Sequence, residues 1–160
     1  MKNLVAILHN IRSVHNVGSM FRTADGAGVS TMYLTGFTPT PVDRFGEYRK
    51  DFMKTSLGSE RTVAWEYARS PARIFTKLRR EGFALVALEC APGAVPYGAW
   101  PRTVNGKKNF ALLVGHEVTG VPATMLRKAD RIFDIPMRGN KESLNVSVAF
   151  GIAVYALARA

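Results

Sequence analysis

The chain has 160 residues, 47 % of them hydrophobic, which suffices for one domain with a sizeable core. A formal net charge of +10 and a pI of about 10.2 point to a polyanionic partner such as nucleic acid. A single cysteine, Cys90, excludes an internal disulfide and a Cys-cluster zinc site, and no apolar run approaches the roughly 18 residues of a membrane span.

The opening residues, Met1-Lys-Asn-Leu-Val-Ala-Ile-Leu-His-Asn10, carry no small-residue cleavage site and run directly into a strand over Leu4–His9. This argues against a signal peptide. A helix is predicted over residues 17–27, with Asn16 able to cap it, and a strand over Thr31–Thr35. A basic, turn-rich stretch continues through Lys54. A short strand over 62–65 and a helix over 71–81 follow, with Pro71 near its first position and Ile74, Phe75 and Leu78 on one face. Phe83–Leu88 reads as a strand, residues 91–108 as a Pro- and Gly-rich loop, 110–114 as a strand and 122–128 as a short helix. A strand over 131–135 precedes a last helix entered at Ser143-Leu144-Asn145.

Six strands alternating with helices predict an α/β fold with a mostly parallel sheet. The strands are continuous apolar runs, as expected when helices cover both faces. The last helix is apolar almost all the way round, so it needs cover on every side. That predicts core packing on one side and a second subunit on the other.

The basic excess is concentrated. Arg44, Arg49, Lys50, Lys54, Arg61, Arg69, Arg73, Lys77, Arg79 and Arg80 form one group, and Arg127, Lys128, Arg131, Arg138 and Lys141 a second. Helical spacing pairs Lys77 with Glu81. Isolated solvated pairs account for single residues but not for the total. Cys90 reads as a reduced, buried thiol of a cytoplasmic protein.

No Walker A or G-x-G-x-x-G sequence is present, and His9, His15 and His116 are too dispersed for a metal site. In parallel sheets, ligands bind beyond the carboxyl ends of the strands. That selects the loops at 89–91, 115–120 and 136–142 and places them at one edge. Three segments stand out. In Asn16-Val-Gly-Ser-Met-Phe-Arg-Thr-Ala24, Gly18 permits close approach of a backbone or ligand and Arg22 lies in apolar surroundings. In Leu112-Leu-Val-Gly-His-Glu-Val-Thr-Gly-Val-Pro122, a strand enters a Gly turn at Gly115 that carries Glu117, a group able to bind a hydroxyl or take a proton. In the third, Ser143 can cap the last helix with Asn145 beside it.

Together these segments resemble the three motifs of the SpoU (TrmH-like) branch of the SPOUT RNA methyltransferases: Asn16 with Arg22, Gly115 with Glu117, and Ser143-Leu-Asn145 after Ile135-Pro-Met137. The resemblance runs from Asn16 through Tyr155. Residues 54–63 are similar with less specificity. It implies an α/β sheet whose C-terminal part forms a trefoil knot, an exception to the rule that chains do not thread. It implies a single SPOUT domain over 1–160, without the N-terminal RNA-binding extension of larger relatives, acting as a homodimer through the final helix. S-adenosyl-L-methionine would be the cofactor, contacted by Leu88, Gly115, Ile135 and Leu144. The reaction would be methyl transfer to a ribose 2′-hydroxyl of RNA, tRNA in preference to rRNA, with Asn16, Arg22, Glu117, Ser143 and Asn145 as the catalytic set. Neither metal nor membrane is implied. A base N-methyltransferase or a non-catalytic RNA-binding protein on the same fold are the alternatives.

Overall fold

The computed structural model describes residues 3–100 and 104–159. Its elements are β1 (Leu4–His9), α1 (Val14–Ala27), β2 (Thr31–Thr35), α2 (Lys50–Ser56), α3 (Ser59–Thr62), β3 (Ala64–Ala68), α4 (Pro71–Arg80), β4 (Phe83–Leu88), β5 (Val95–Pro96), β6 (Asn109–Val114), α5 (Ala123–Leu126), β7 (Arg131–Asp134) and α6 (Val146–Arg159). The sheet order is β3-β2-β1-β6-β4-β7-β5, and every pair is parallel. Seven strands stand where six were predicted. The seventh, β5, pairs only Val95 and Pro96 with Phe133 and Asp134. It lies in the segment read as loop, because a two-residue strand leaves no periodic signature. Residues 101–103 of that segment, and Met1, Lys2 and Ala160, lie outside the described residues.

Strand alternation divides the core in two. Ala6, Leu8, Met32, Leu34, Val86, Leu112 and Val114 face α1 and α6. Val5, Ile7, Tyr33, Leu85, Ala87, Ala111 and Leu113 face α4 and α5. All residues of β1 and β4 are buried, which explains their unbroken apolar sequences.

Several local expectations are corrected. Helix α1 begins at Val14, and its cap is Ser13, whose side chain accepts from the Asn16 N–H at 3.2 Å. Asn16 therefore lies inside the first turn with its amide free for other work. The basic stretch before Ser56 contains α2, whose closeness to α1 depends on Gly18. A Cβ there would lie 2.1 Å from Thr55 Oγ1 and 2.7 Å from the Phe52 carbonyl oxygen. Phe21 meets Phe52 edge-on across this contact, ring centroids 5.2 Å apart. Strand β3 sits two residues later than predicted because its register is set by β2. Lys77 reaches Glu66 on β3 at 2.9 Å rather than Glu81. Cys90 is exposed, not buried. Helix α6 begins at Val146, capped by Asn145, whose Oδ1 accepts from the Ser147 N–H at 2.9 Å.

Helix α6 buries Phe150, Ala153, Val154 and Leu157 against the sheet and α1. Its other face leaves Val148 51 % and Tyr155 46 % exposed. None of the described helices is long and apolar enough to cross a membrane.

Candidate active site

A cavity of about 260 Å³ lies beyond the carboxyl ends of β4, β6 and β7. The three loops selected from the sequence all line it, together with Leu88, Val114 and Asp134 from the strand ends. Leu88, Gly115, Ile135 and Leu144 are brought together in its wall, and so are Glu117 and Ser143.

Gly115 is required by the loop's own backbone. A Cβ there would lie 2.4 Å from the Gly120 carbonyl oxygen and 2.5 Å from Val121 N. The loop doubles back so tightly because His116 and Gly120 exchange backbone hydrogen bonds at 3.2 and 2.9 Å. His116 Nδ1 accepts from the N–H groups of Val118 and Thr119 at 3.0 and 3.2 Å, which assigns the ring proton to Nε2. Glu89, not singled out from the sequence, clamps the loop from outside. Its carboxylate accepts from Val121 N at 2.7 Å and from Cys90 N at 3.1 Å. A glutamate after a strand carries no motif signal, so only the crossing of two loops reveals it.

Glu117 points away from solution chemistry and into the start of α1. It accepts from Arg12 N at 2.9 Å, Ser13 N at 3.0 Å and Asn16 Nδ2 at 3.2 Å. Partial burial pushes its carboxyl pKa up, but these donors outweigh burial and hold it below the ordinary carboxylate value. It is an ionised anchor whose lone pairs are engaged, which favours orienting Asn16 over accepting a proton. Asn16 Oδ1 in turn accepts from Asn145 Nδ2 at 3.3 Å. Glu117, Asn16 and Asn145 thus form one chain of hydrogen bonds linking the β6 loop, α1 and α6. Arg12, exposed and adjacent to this chain, also escaped the sequence reading. It follows no motif, and only the Glu117 contact places it here.

Arg22 is not part of the cavity. It lines a second groove with Ser19, Thr23, Lys54, Thr55, Leu57 and Tyr155, on the α1–α6 side of the molecule. His9 is pushed down in pKa by burial and stands 2.9 Å from Thr35 Oγ1 through Nδ1, as a neutral core residue does.

The cavity wall fits a ligand with a hydrogen-bond donor and an apolar part. Asp134 lines it, and its Oδ1 is buried with no hydrogen-bond partner among the described residues. Leu88, Val114, Ile135 and Leu144 supply apolar surface. An amino or hydroxyl group of a bound ligand would relieve the cost of that unpaired oxygen.

The sequence model of the SpoU rRNA Methylase family matches residues 3–155. A tRNA (guanosine(18)-2′-O)-methyltransferase of Aquifex aeolicus is 31 % identical over 154 residues, 96 % of this chain and 68 % of that protein. A 23S rRNA (guanosine(2553)-2′-O)-methyltransferase of Bacillus subtilis is 33 % identical over 153 residues, 96 % of this chain and 57 % of that protein. The crystal structure of an AdoMet-bound rRNA methyltransferase from Sinorhizobium meliloti superimposes with a TM-score of 0.83 at 30 % identity, covering 99 % of this chain and 56 % of that one. The chain therefore spans a little over half to two thirds of the length of these relatives.

Proposed function

The chain belongs to the SpoU rRNA Methylase family, and from that premise we propose that it transfers a methyl group from S-adenosyl-L-methionine to a ribose 2′-hydroxyl of RNA. The observation that carries this reading is the cavity itself. It gathers Leu88, Gly115, Ile135 and Leu144 against an unpaired buried Asp134 oxygen, next to the Glu117–Asn16–Asn145 chain.

When bound, the cofactor supplies an electrophilic methyl group on a sulfonium and needs no metal. Asp134 would take one of its donors, and the apolar wall its uncharged parts. The protein's task is then mainly alignment of the attacking oxygen. Asn16, held by Glu117 and Asn145, and Ser143 at the rim position the ribose. A guanidinium does not give up its proton in proteins, so Arg22 serves as a donor to the developing alkoxide or the adjacent phosphate. The hydroxyl proton leaves toward the exposed rim, where Glu142 is a carboxylate not engaged by N–H donors of the described residues.

Arg22 lies outside this chain's own cavity, in a groove beside the uncovered face of α6. A homodimer through α6 would cover Val148 and Tyr155 and bring Arg22 to the partner's site. The same reading places a trefoil knot in the C-terminal part, where residues 135–145 join β7 to α6 and line the cavity through Ile135, Met137, Glu142, Ser143 and Leu144. RNA binding draws on Arg44, Lys50, Lys54, Arg69, Arg73 and Arg80, none of which has an ion pair among the described residues. We place the substrate in tRNA, following the relative of which the chain covers 68 %, and the reaction in the cytoplasm.

The test is methyl transfer from labelled S-adenosyl-L-methionine to bulk tRNA and bulk rRNA, followed by nucleoside analysis. A 2′-O-methylated nucleoside from tRNA is the expected result. Label in rRNA alone reassigns the substrate. A base-methylated nucleoside, or no label with the cofactor bound, overturns the reaction.

A further inference from the structure

Outside the cavity, one surface carries aromatic rings that the methyl-transfer reading leaves unused. The segment following β2 is exposed and aromatic. Phe37 is 59 % exposed and Phe45 74 %. Both line a groove with Thr38, Arg44, Arg49 and Tyr67. Large exposed rings on a monomer surface mark an interaction site, and these are not loosely hung. Asn10 Oδ1 accepts from Phe37 N at 3.2 Å. Tyr67 donates from its hydroxyl to the Gly36 carbonyl at 2.8 Å. Asp43 accepts from Phe45 N at 2.7 Å and Glu47 N at 3.1 Å, which fixes the turn that presents Phe45.

The rings alternate with cations. The Arg44 guanidinium lies 4.7 Å from the Phe45 ring centroid. Arg49 is partly tied to Asp51 at 3.2 Å, whereas Arg44 has no ion pair among the described residues. The groove adjoins the candidate site through one ring contact. The Phe37 ring meets His116 edge-on at 5.9 Å between centroids, and His116 immediately precedes Glu117. A ligand seated on Phe37 is therefore next to the loop that orients Asn16.

Aromatic faces interleaved with guanidinium groups are the recognition chemistry of unpaired nucleotides: rings stack on bases and cations meet the backbone phosphates. A paired duplex hides its base faces and would use the cations alone. We infer that the Phe37–Phe45 groove is a stacking subsite for an unpaired RNA base flanking the nucleotide held at the cavity, so that the enzyme selects single-stranded or looped RNA. This rests on the RNA methyltransferase reading and specifies its substrate form.

The test measures binding of the full chain to a labelled unpaired decaribonucleotide and to a duplex RNA of the same length. Wild type is compared with Phe37→Leu/Phe45→Leu, with Phe45→Tyr and with Arg44→Gln. Both phenylalanines are exposed, so leucine there leaves the core packing unchanged. The double leucine variant is expected to bind the unpaired RNA about tenfold or more weakly, as loss of a base–aromatic stack implies. Its duplex affinity and the slope of log K against log salt stay unchanged. Phe45→Tyr restores stacking, and Arg44→Gln lowers the slope instead. Equal loss for both RNAs, no loss for either, or a leucine variant that alters only the oligomeric state overturns the subsite. The last outcome would assign the rings to a protein contact. Calorimetric binding of S-adenosyl-L-methionine to the same variants keeps the two readings apart: loss of the subsite leaves it intact, whereas its absence in wild type counts against the methyltransferase reading.

Discussion

Asn145 donates from Nδ2 to Asn16 Oδ1 at 3.3 Å, joining the first turn of the last helix to the first turn of the first. The same Asn145 caps α6 through its Oδ1, which accepts from Ser147 N at 2.9 Å and from Ser147 Oγ at 2.6 Å. One side chain thus ends a helix and aligns the residue that Glu117 holds from the other side. Asn145→Ala should lose both roles and about 1 kcal/mol of stability from the cap. Asn145→Ser should recover the cap but not the reach to Asn16. Thermal melts and methyl-transfer rates of the pair separate the roles: we expect stability near wild type in the serine variant with activity still low.

Glu117→Gln removes the charge that meets three donors and turns an amide N–H toward one of them. Loss of such hydrogen bonds costs about 1–3 kcal/mol. The variant should unfold at lower urea and lose activity more than cofactor affinity, because its damage falls on Asn16. Wild-type activity in this variant would remove the orienting role.

The pH dependence follows from the same groups. Burial pushes both Glu117 and Glu60 up, but donors hold both folded-state values below the ordinary 4.5: Arg12 and Ser13 N–H for Glu117, and Ser56 Oγ and Gly58 N–H for Glu60. For a lowered carboxylate, the unfolded state binds the proton more readily. The stability these residues supply is therefore full above the unfolded value. It is lost as pH falls through the lower folded values. Urea melts should be flat in these contributions from pH 7 to about 5 and should weaken below about 4.5. Replacing Glu60 with Gln should reduce the acid slope.

Glycine substitutions should divide by what a new Cβ meets. At Gly115 it meets backbone, the Gly120 carbonyl oxygen at 2.4 Å, which cannot retreat without opening the loop. Gly115→Ala should therefore destabilise the fold and abolish cofactor binding. At Gly151, inside α6, the nearest atom is Thr23 Cγ2 at 3.6 Å, an ordinary contact. Gly151→Ala should stabilise by about 0.5–1 kcal/mol through helix propensity. Differential scanning calorimetry of the two variants checks both signs.

Arg22→Lys should lose most activity with cofactor affinity nearly unchanged, since Arg22 is outside the cavity and a lysine cannot reproduce the planar fork. For the proposed homodimer, Val148→Asp on the uncovered α6 face should give a monomer by light scattering and abolish activity in parallel. Mixing it with Arg22→Lys would then restore nothing. A fully active monomer would show that Arg22 serves its own chain.

The sequence alone determined the layered α/β class, the strands β1, β2 and β4 to their residues, and the gathering of three loops at one sheet edge. These rest on local physics. Short apolar runs bounded by turn residues fit strands in a sheet covered on both faces, and parallel strands present their carboxyl ends together. The resemblance to the SpoU motifs singled out Asn16, Arg22, Glu117, Ser143 and Asn145. The tertiary structure decided what those residues do to each other. Asn16 became a bridging residue because Ser13 took the cap. Glu117 became an anchor because the start of α1 aims two backbone N–H groups at it. Gly115 proved necessary to its own loop, Lys77 chose Glu66 over its helical neighbour, and Arg22 fell outside the cavity. Each outcome depends on where a distant segment crosses. Helical and strand periods encode the face on which a side chain lies, whereas its partner is fixed only when the long-range crossings between elements are formed.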